Sequence, residues 1–401
     1  MVGRVFKAFQ YRDFRIMWMG ACTSSIGTWM QKLAQSWLVL ELSKSPTMLG
    51  LDSFLGEIPI FLFSLVGGVV ADRRDRRHLL IASQLVQMSC AFILALLLWT
   101  NKVQVWHILL LSFTTGTAQA FGGPAYQALV PRLVKGVDLQ NAIALNSIQF
   151  NLARVIGPAI GGIAMAKLGA VACFTLNGVS FVAVIISLLM LHERYVPAEK
   201  RQSILESMKE GIVFIRKQGA MESLIALAFL MTMLGVPLIV FLPVFAKDVF
   251  RAGPDTYSLL LSVSGLGSVA GALFVAGTGN IHKKGRVALF TITLLGALMF
   301  GFSLSKNLYL SCALLFVAGA SLIASFALIA SLVQLIVSDD MRGRVMSVYN
   351  VAFRGGMPIG SLASGQLITM FSAPTVMAAN GLLLILLGTY FLFIHKRVAS
   401  L

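Results

Sequence analysis

Residues 67–77 read GGVVADRRDRR, a short stretch with four arginines at the boundary of two long apolar runs. The apolar segment that leads into it covers 47–71, and the one that follows covers 79–99. Lysine and arginine concentrate in the cytoplasmic loops beside membrane helices. The stretch therefore predicts a tight cytoplasmic loop between two membrane-spanning helices.

The composition extends this prediction to the whole chain. Of the 401 residues, 57% are hydrophobic and only 12% are charged, and the mean hydropathy is +0.85. Soluble proteins carry about 25% charged residues, and a membrane helix needs about 20 apolar residues. We therefore expect an all-α integral membrane protein without a large soluble domain. The twelve predicted spans are 15–41, 47–71, 79–99, 105–128, 142–166, 171–191, 220–246, 257–277, 287–305, 308–337, 344–371 and 374–394.

The net charge of +16 is distributed unevenly along the chain. Twenty-three lysines and arginines fall on the side that holds both termini, and six fall on the opposite side. This asymmetry predicts that both termini are cytoplasmic in the inner (cytoplasmic) membrane, so the charge does not indicate a nucleic-acid partner. The four cysteines lie inside predicted spans without metal-ligand spacing, and we expect no metal and no cofactor.

The order of the spans predicts three regions. An N-terminal six-helix half covers 1–191, a cytoplasmic amphipathic linker covers 192–219, and a C-terminal six-helix half covers 220–401. With an offset of 200 residues, Arg154 matches Arg354 and Pro158 matches Pro358. Internal repeats of this kind are typical of secondary transporters.

The loop between the second and third spans resembles the signature of the major facilitator superfamily. The resemblance implies two pseudo-symmetric six-helix halves and transport by alternating access. It also implies that Asp72 contacts the start of the eleventh span, near 341–345, and that this contact holds the cytoplasmic side closed. One departure is Asp75, where the family has glycine. The alternative is that the arginines only set the topology. The predicted gating residues are Gly68, Asp72, Arg73, Arg76 and Arg77.

A second motif, in the fifth span, resembles the Gly-Pro-x-x-Gly-Gly motif of antiporters in this superfamily. It consists of Gly157, Pro158, Gly161 and Gly162. Proline bends a helix, and glycines allow two helices to approach closely. The resemblance implies export, with glycines of the eighth span as the packing partner. A packing seam without a bearing on transport direction is the alternative.

Long stretches of the chain are similar to one branch of the superfamily, the bacterial exporters that include the enterobactin and macrolide effluxers. These stretches are 24–46, 67–77 and 339–367. Thr28 stands where many relatives have an aspartate.

Five charged residues lie inside predicted spans and away from the span ends: Lys32, Asp52, Glu57, Arg154 and Arg354. Such residues are costly in a bilayer and are functional candidates by default. Lys32 lies at a depth comparable to those of Asp52 and Glu57 on the next span, so these three form the predicted proton-coupling site. A purely structural ion pair is the alternative.

Polar side chains recur at helical spacing in several spans, which predicts a central cavity. Hydrogen bonding between helices is the alternative explanation. Aromatic and methionine side chains beside these stripes suit an amphiphilic organic ligand better than an inorganic ion. The predicted cavity residues are Thr28, Trp29, Lys32, Gln35, Gln119, Tyr126, Asn151, Arg154, Met233, Phe326 and Arg354.

The sequence thus predicts a non-enzymatic secondary transporter. We expect a monomeric, proton-coupled antiporter that exports an amphiphilic small molecule such as a drug or a siderophore, with protons and membrane lipids as further partners. A lysolipid or lipid flippase on the same fold is one alternative, and a non-transporting membrane scaffold or sensor is another.

Overall fold

The computed structural model describes residues 6–192, 204–277 and 283–401, without the side chains of residues 72 and 204–207. The regular elements in these ranges are all helical. The first four long helices are α1 (Arg12–Ser43), α2 (Pro46–Arg73), α3 (Arg76–Trp99) and α4 (Val105–Leu129), with short 3-10 turns at Lys7–Gln10, Val130–Arg132 and Gly136–Asp138.

The run Leu139–Leu189 is interrupted at Gly169, which has a φ of 80°. Glycine adopts this left-handed backbone without a steric penalty, so the run contains two helices, α5 (139–168) and α6 (170–189). The chain then continues through the helices α7 (Ile204–Lys217), α8 (Gly219–Gly235), α9 (Pro254–Gly277), α10 (Lys284–Leu304), α11 (Leu308–Ile336), α12 (Arg342–Met370) and α13 (Ala373–Thr389).

The end of the span that contains α8 is irregular. After Gly235 it continues as Pro237–Val240, Leu242–Val244 and a π-helical turn at Phe245–Val249. Two of these segments include a proline, which removes a helical hydrogen bond and clashes with the preceding turn.

Helices α1–α6 and α8–α13 coincide with the twelve predicted spans. Eight helical segments of the described chain are long and apolar enough to cross a membrane by length and composition, and one of them, Gly136–Leu189, holds two predicted spans. The remaining three predicted spans lie in α1, α4 and α12. These helices carry Lys32, Gln119 and Arg354 among other polar residues, and polar side chains lower the mean hydropathy of a helix.

The chain divides into two compact units. Unit one contains Met1–Lys44 and Leu55–Lys200, and unit two contains Ser45–Phe54 and Arg201–Leu401. The first turns of helix α2 are assigned to unit two and the rest of the helix to unit one, although the helix itself is continuous. The three regions expected from the sequence (1–191, 192–219 and 220–401) remain a prediction.

Inside unit two, the start of α2 packs on α12 through small residues. The Oγ1 atoms of Thr47 and Thr369 are 2.8 Å apart. A Cβ on Gly50 would lie 2.5 Å from the carbonyl oxygen of Ser361. The absence of a side chain at Gly50 therefore permits the contact.

Helix α7 packs beside the start of α12. The Arg344 Nη1 atom lies 2.8 Å from the Glu210 Oε2 atom, and Gly211 faces the backbone of Arg344. Ile215 is buried, whereas Ile212 is 39% exposed. The predicted amphipathic linker is thus helical over 204–217, and its apolar face is only partly covered.

The two units share one mode of helix packing. In unit one, a Cβ on Gly157 would lie 2.5 Å from the Trp29 Cβ and 2.7 Å from the Ile26 carbonyl oxygen. In unit two, a Cβ on Gly356 would collide with Thr232 and with the Phe229 carbonyl. The second glycine of each Gly-x-x-x-Gly pair also makes an equivalent contact in the two units. Gly161 faces Met30, and Gly360 faces Met233.

This packing corrects the register of the internal repeat. The glycine contacts align at 199 residues rather than 200, because Gly157 corresponds to Gly356. Three residues before these glycines stand Arg154 and Phe353. Arg154 therefore has an aromatic counterpart in unit two, and Arg354 lies one position further along its helix.

The short turn at 7–10 is fastened to the chain beside α5 by a buried carboxylate. Asp138 is 3% exposed. It lies 2.8 Å from the Lys7 Nζ atom and accepts hydrogen bonds from Gln10 and from Tyr11. The Ala8 amide donates to the Asn141 Oδ1 atom at 2.8 Å. The hydrogen bond with Asp138 raises the pKa of Lys7 above its ordinary value.

We predict that Asp138→Asn loosens this N-terminal segment, because the substitution replaces the charged acceptor of three donors. Amide hydrogen exchange of residues 7–11 should be faster in the variant than in the wild type. The contribution of Lys7 is fully present below its unfolded pKa of about 10.4 and is lost as the pH rises through its folded pKa. Asp339→Asn, at an exposed carboxylate, is the control, and equal exchange in both variants would contradict the prediction.

Candidate functional site

Unit one brings together five side chains from α1, α2 and α5, which we call the Trp29 cluster: Trp29, Lys32, Glu57, Phe150 and Arg154. The Lys32 ammonium lies 5.4 Å from the centre of the indole, and the Arg154 guanidinium lies 5.6 Å from it. The Lys32 Nζ and Glu57 Oε1 atoms are 3.7 Å apart. The Phe150 ring meets the indole edge to face at 6.2 Å.

Local helix geometry explains the assembly of this cluster. Trp29 and Lys32 lie three residues apart on α1 and therefore share a face. Arg154 lies one turn before Gly157, the residue at which α5 touches the backbone of α1. A larger residue at Gly157 would push the two helices apart, so the glycine holds the guanidinium beside the indole.

The cluster carries an excess of positive charge. Lys32 and Arg154 are two basic side chains, and Glu57 is the one acidic side chain among the five. The Lys32 side chain is 59% exposed and the Glu57 side chain is 20% exposed. Contact of a charged ammonium with lipid is costly, so this exposure favours a hydrated environment for Lys32.

The three residues predicted to couple transport to protons are assigned to different units of the structure. Lys32 and Glu57 form the predicted pair in unit one. Asp52 belongs to the segment assigned to unit two and is 7% exposed.

Several predicted cavity residues of unit one bond to neighbouring helices or to their own helix. The Gln35 Nε2 atom donates to Ser112 at 2.9 Å, and the Gln119 side chain accepts from Gln87 at 3.4 Å. The Tyr126 hydroxyl donates to Asn146 at 3.2 Å. For these three residues the structure favours helix-to-helix hydrogen bonding. Thr28 and Asn151 donate to carbonyl groups one turn earlier on their own helices.

The predicted cavity residues of unit two lie in a different setting. Phe326 packs edge to face on Phe353 at 4.7 Å. Met233 contacts Gly360, and Arg354 is exposed. Phe353, which corresponds to Arg154, thus packs against an aromatic ring in unit two.

The loop of the superfamily motif is held by its arginines. Asp75 caps α3, because its side chain accepts from the amides of Arg77 and His78. Its φ of −60° is accessible to any residue, which explains why glycine is not needed at this position. Arg76 donates to the carbonyl groups of Ala71 and Ala128.

Arg77 caps the end of α6. Its Nη2 and Nη1 atoms donate to the carbonyl oxygens of Leu189 at 2.6 Å and Leu191 at 3.0 Å. Cations at helix C-termini are stabilising. The arginines therefore do more than set topology, since Arg76 and Arg77 brace the ends of helices inside unit one. Arg73 is exposed.

The glycines of this motif differ from the sequence-based interpretation. A Cβ on Gly67 would collide with the Ala120 carbonyl, whereas a Cβ on Gly68 would have nothing within 4 Å in the described chain. Of these two glycines, Gly67 is therefore the one at which α2 and α4 approach closely. The side chain of Asp72 lies outside the described residues, and its contact with the eleventh span stays a prediction.

The antiporter motif packs on α1 in unit one. Gly157 and Gly161 face Ile26, Trp29 and Met30. In the span expected to be their partner, Gly267 and Gly271 instead face the backbone of α11 at Phe316 and Ala320. Pro158 and Gly162 are buried in the same helix.

Two functional features escaped the sequence reasoning. Phe150 lies one turn before Arg154, and this spacing could have placed both on the face that meets Trp29. Asp138 looked like an ordinary loop residue, because its donors are more than 120 positions away in the chain.

Comparison with known proteins agrees with the sequence motifs. A sequence profile described as transmembrane secretion effector matches residues 4–400. Macrolide efflux protein A of Streptococcus pyogenes is 22% identical over 364 residues, which cover 88% of this chain and 88% of that protein. Enterobactin exporter EntS of Shigella boydii is 25% identical over 386 residues, with coverage of 95% and 91%.

A solved structure shows the same fold. A mutant of the nucleoside transporter NupG superimposes with a TM-score of 0.78 at 14% identity, covering 95% of this chain and 98% of that chain.

We predict that Gly157→Ala disrupts the Trp29 cluster, because the added Cβ would lie 2.5 Å from the Trp29 Cβ. Overpacking of this kind costs about 1–3 kcal/mol, and transport should fall with the thermal stability. Gly136→Ala is the matched control, since a Cβ there meets nothing within 4 Å in the described residues. Unchanged stability and transport in Gly157→Ala would contradict the assignment.

We also predict that Arg77→Gln destabilises the protein by about 1–3 kcal/mol, because two charge-assisted hydrogen bonds to the end of α6 are lost. Thermal unfolding in detergent measures this effect. Arg74→Gln, at an exposed position in the same loop, removes the same charge and should leave the unfolding temperature nearly unchanged. Equal shifts in the two variants would show that capping is not the role of Arg77.

Proposed function

Because the chain belongs to the transmembrane secretion effector family of the major facilitator superfamily, we propose that this multi-pass membrane transporter exports an amphiphilic organic molecule in exchange for protons. The functions of two relatives, macrolide efflux and enterobactin export, support the outward direction and the organic class of substrate. The mechanism is alternating access, with both termini in the cytoplasm.

The observation that carries the coupling proposal is the Lys32–Glu57 pair. Its atoms are 3.7 Å apart, which is longer than the roughly 2.7–2.9 Å of a charge-assisted hydrogen bond. A loose pair can separate during a transport cycle. A carboxylate that loses its cation in a poorly solvated site gains affinity for a proton.

Asp52 is the second candidate for the proton carrier. It is 7% exposed, and a buried carboxylate at membrane depth is costly unless it is paired or protonated. Either Glu57 or Asp52 could therefore take up the proton that enters while the substrate leaves. The aromatic rings of the Trp29 cluster offer the apolar contact that an amphiphilic substrate needs.

Proteoliposomes with an imposed pH gradient test this proposal. The wild type should move a fluorescent amphiphile such as pyrenebutyrate against its concentration gradient, and collapse of the pH gradient should abolish this transport. Loss of the proton carrier, through Glu57→Gln or Asp52→Asn, should abolish most of the gradient-driven transport, because an amide side chain cannot take up the proton that a carboxylate binds.

Carboxylates outside the coupling site provide the matched controls. Glu41→Gln and Asp339→Asn remove exposed carboxylates and should transport as the wild type does. Full gradient-driven transport in both Glu57→Gln and Asp52→Asn would exclude these two residues as carriers. Transport that ignores the pH gradient would exclude proton antiport altogether.

A further inference from the structure

We propose that the Trp29 cluster is a binding site for an organic anion, in which Lys32 and Arg154 hold the acidic group and Glu57 limits its affinity. This inference rests on the proposed export function and names the class of substrate. It gives the Glu57 carboxylate a second effect, on substrate affinity, which a binding measurement tests separately from transport.

The first argument is the charge of the cluster. Two cations lie within 5.6 Å of one indole centre, and Glu57 supplies one negative charge beside Lys32. An unbalanced positive charge at membrane depth is costly. A bound monoanion would bring the cluster to neutrality, whereas a bound cation would add a third positive charge.

The second argument is the environment of Arg154. Within unit one, its guanidinium meets the Trp29 ring and pairs with no carboxylate of the described residues. Guanidinium presents five donors in a planar fork that matches a carboxylate or phosphate. No hydrogen bond or ion pair joins this guanidinium to the described residues, so its fork of donors is available to an incoming oxyanion.

The third argument is the availability of Lys32. Its side chain is 59% exposed, and an ammonium has three donors. At 3.7 Å, the contact with Glu57 is too long to be a strong charge-assisted hydrogen bond. Lys32 can therefore donate to an incoming oxyanion, while the fixed charge of Glu57 opposes the same ligand.

The aromatic members define the other end of the ligand. Phe150 is 55% exposed and meets Trp29 edge to face. The planes of these two rings meet at 71°, so the rings offer two differently oriented apolar faces beside the cationic groups. The arrangement fits an amphiphile whose acidic group adjoins an aromatic or otherwise flat apolar body.

The repeat shows that this chemistry belongs to unit one. Gly157 contacts Trp29, and the equivalent Gly356 contacts Thr232, so Trp29 corresponds to Thr232. Arg154 and Phe353 each lie three residues before these glycines and correspond to one another. The same pairing of helices places Gly235 where unit one has Lys32. Unit two thus has the same helix packing with Phe353 and Gly235 in place of the two basic residues. Packing of the helices therefore does not require a cation at either position.

Three pyrene ligands of similar shape test the proposal by equilibrium binding to the purified full chain. They are pyrenebutyrate, its neutral amide and pyrenebutylammonium. The wild type should bind the carboxylate at least about tenfold more tightly than the amide, equivalent to roughly 1.4 kcal/mol, and the ammonium most weakly. Equal affinity for all three ligands, or preference for the ammonium, would overturn the proposal.

Variants assign the roles within the site. Arg154→Gln and Lys32→Gln should weaken carboxylate binding by about tenfold while amide binding stays unchanged, which also shows that the variants are folded. Arg154→Lys keeps the charge and should retain part of the affinity. Lys102→Gln removes an exposed lysine outside the cluster and is the matched control. Unchanged carboxylate binding in Arg154→Gln would overturn the role of Arg154.

Glu57→Gln separates this inference from the proposed function. It should tighten carboxylate binding at equilibrium, in the absence of any pH gradient. Tighter binding without any gradient-driven transport in the wild type would sustain the anion site and refute proton antiport. Weaker carboxylate binding in Glu57→Gln would refute the role given to Glu57.

Discussion

The approach of α5 to α1 at Gly157 is the contact on which the charged site of this protein depends. A single missing side chain lets the two backbones meet beside Ile26 and Trp29. Arg154 then lies over the indole at 5.6 Å, one turn from the glycine. Close packing in a membrane relies on small residues because apolar burial between helices offers little driving force there. The glycine that packs the fold therefore also positions the guanidinium.

The arginines of the superfamily-motif loop cap helices, in addition to the topological role predicted for them. Arginine is enriched in cytoplasmic loops, so the sequence predicts a cytoplasmic position for this loop. In the structure, its arginines lie beside helix C-termini whose carbonyl groups lack helical partners. Arg76 and Arg77 satisfy such carbonyls at the ends of α4 and α6. One physical property, a permanent charge with several donors, thus serves both orientation and the bracing of unit one.

The two halves of the repeat have kept their packing and diverged in chemistry. Both use a Gly-x-x-x-Gly pair against the first helix of the half. A shift of one residue rotates a side chain by about 100° around a helix. For this reason Arg354 does not take the position of Arg154, although the two arginines match at an offset of 200 in the sequence. Phe353 takes that position and packs on Phe326 and Tyr349.

The sequence alone determined that the chain is a membrane protein, its twelve spans and its family, because these follow from composition, segment length and local motifs. It also indicated Lys32, Glu57 and Arg154 as costly charges. Only the tertiary structure decided that Lys32 and Arg154 both lie near the Trp29 ring. It also decided that the side chains of Gln35 and Gln119 form hydrogen bonds with neighbouring helices. In the loop motif, it decided that Gly67 rather than Gly68 meets the backbone of α4. Helical periodicity gives the face of a residue to within a wide arc, whereas a contact depends on the rotation and separation of two helices. Those two quantities are set by packing between segments that are distant in the chain, so no local pattern contains them.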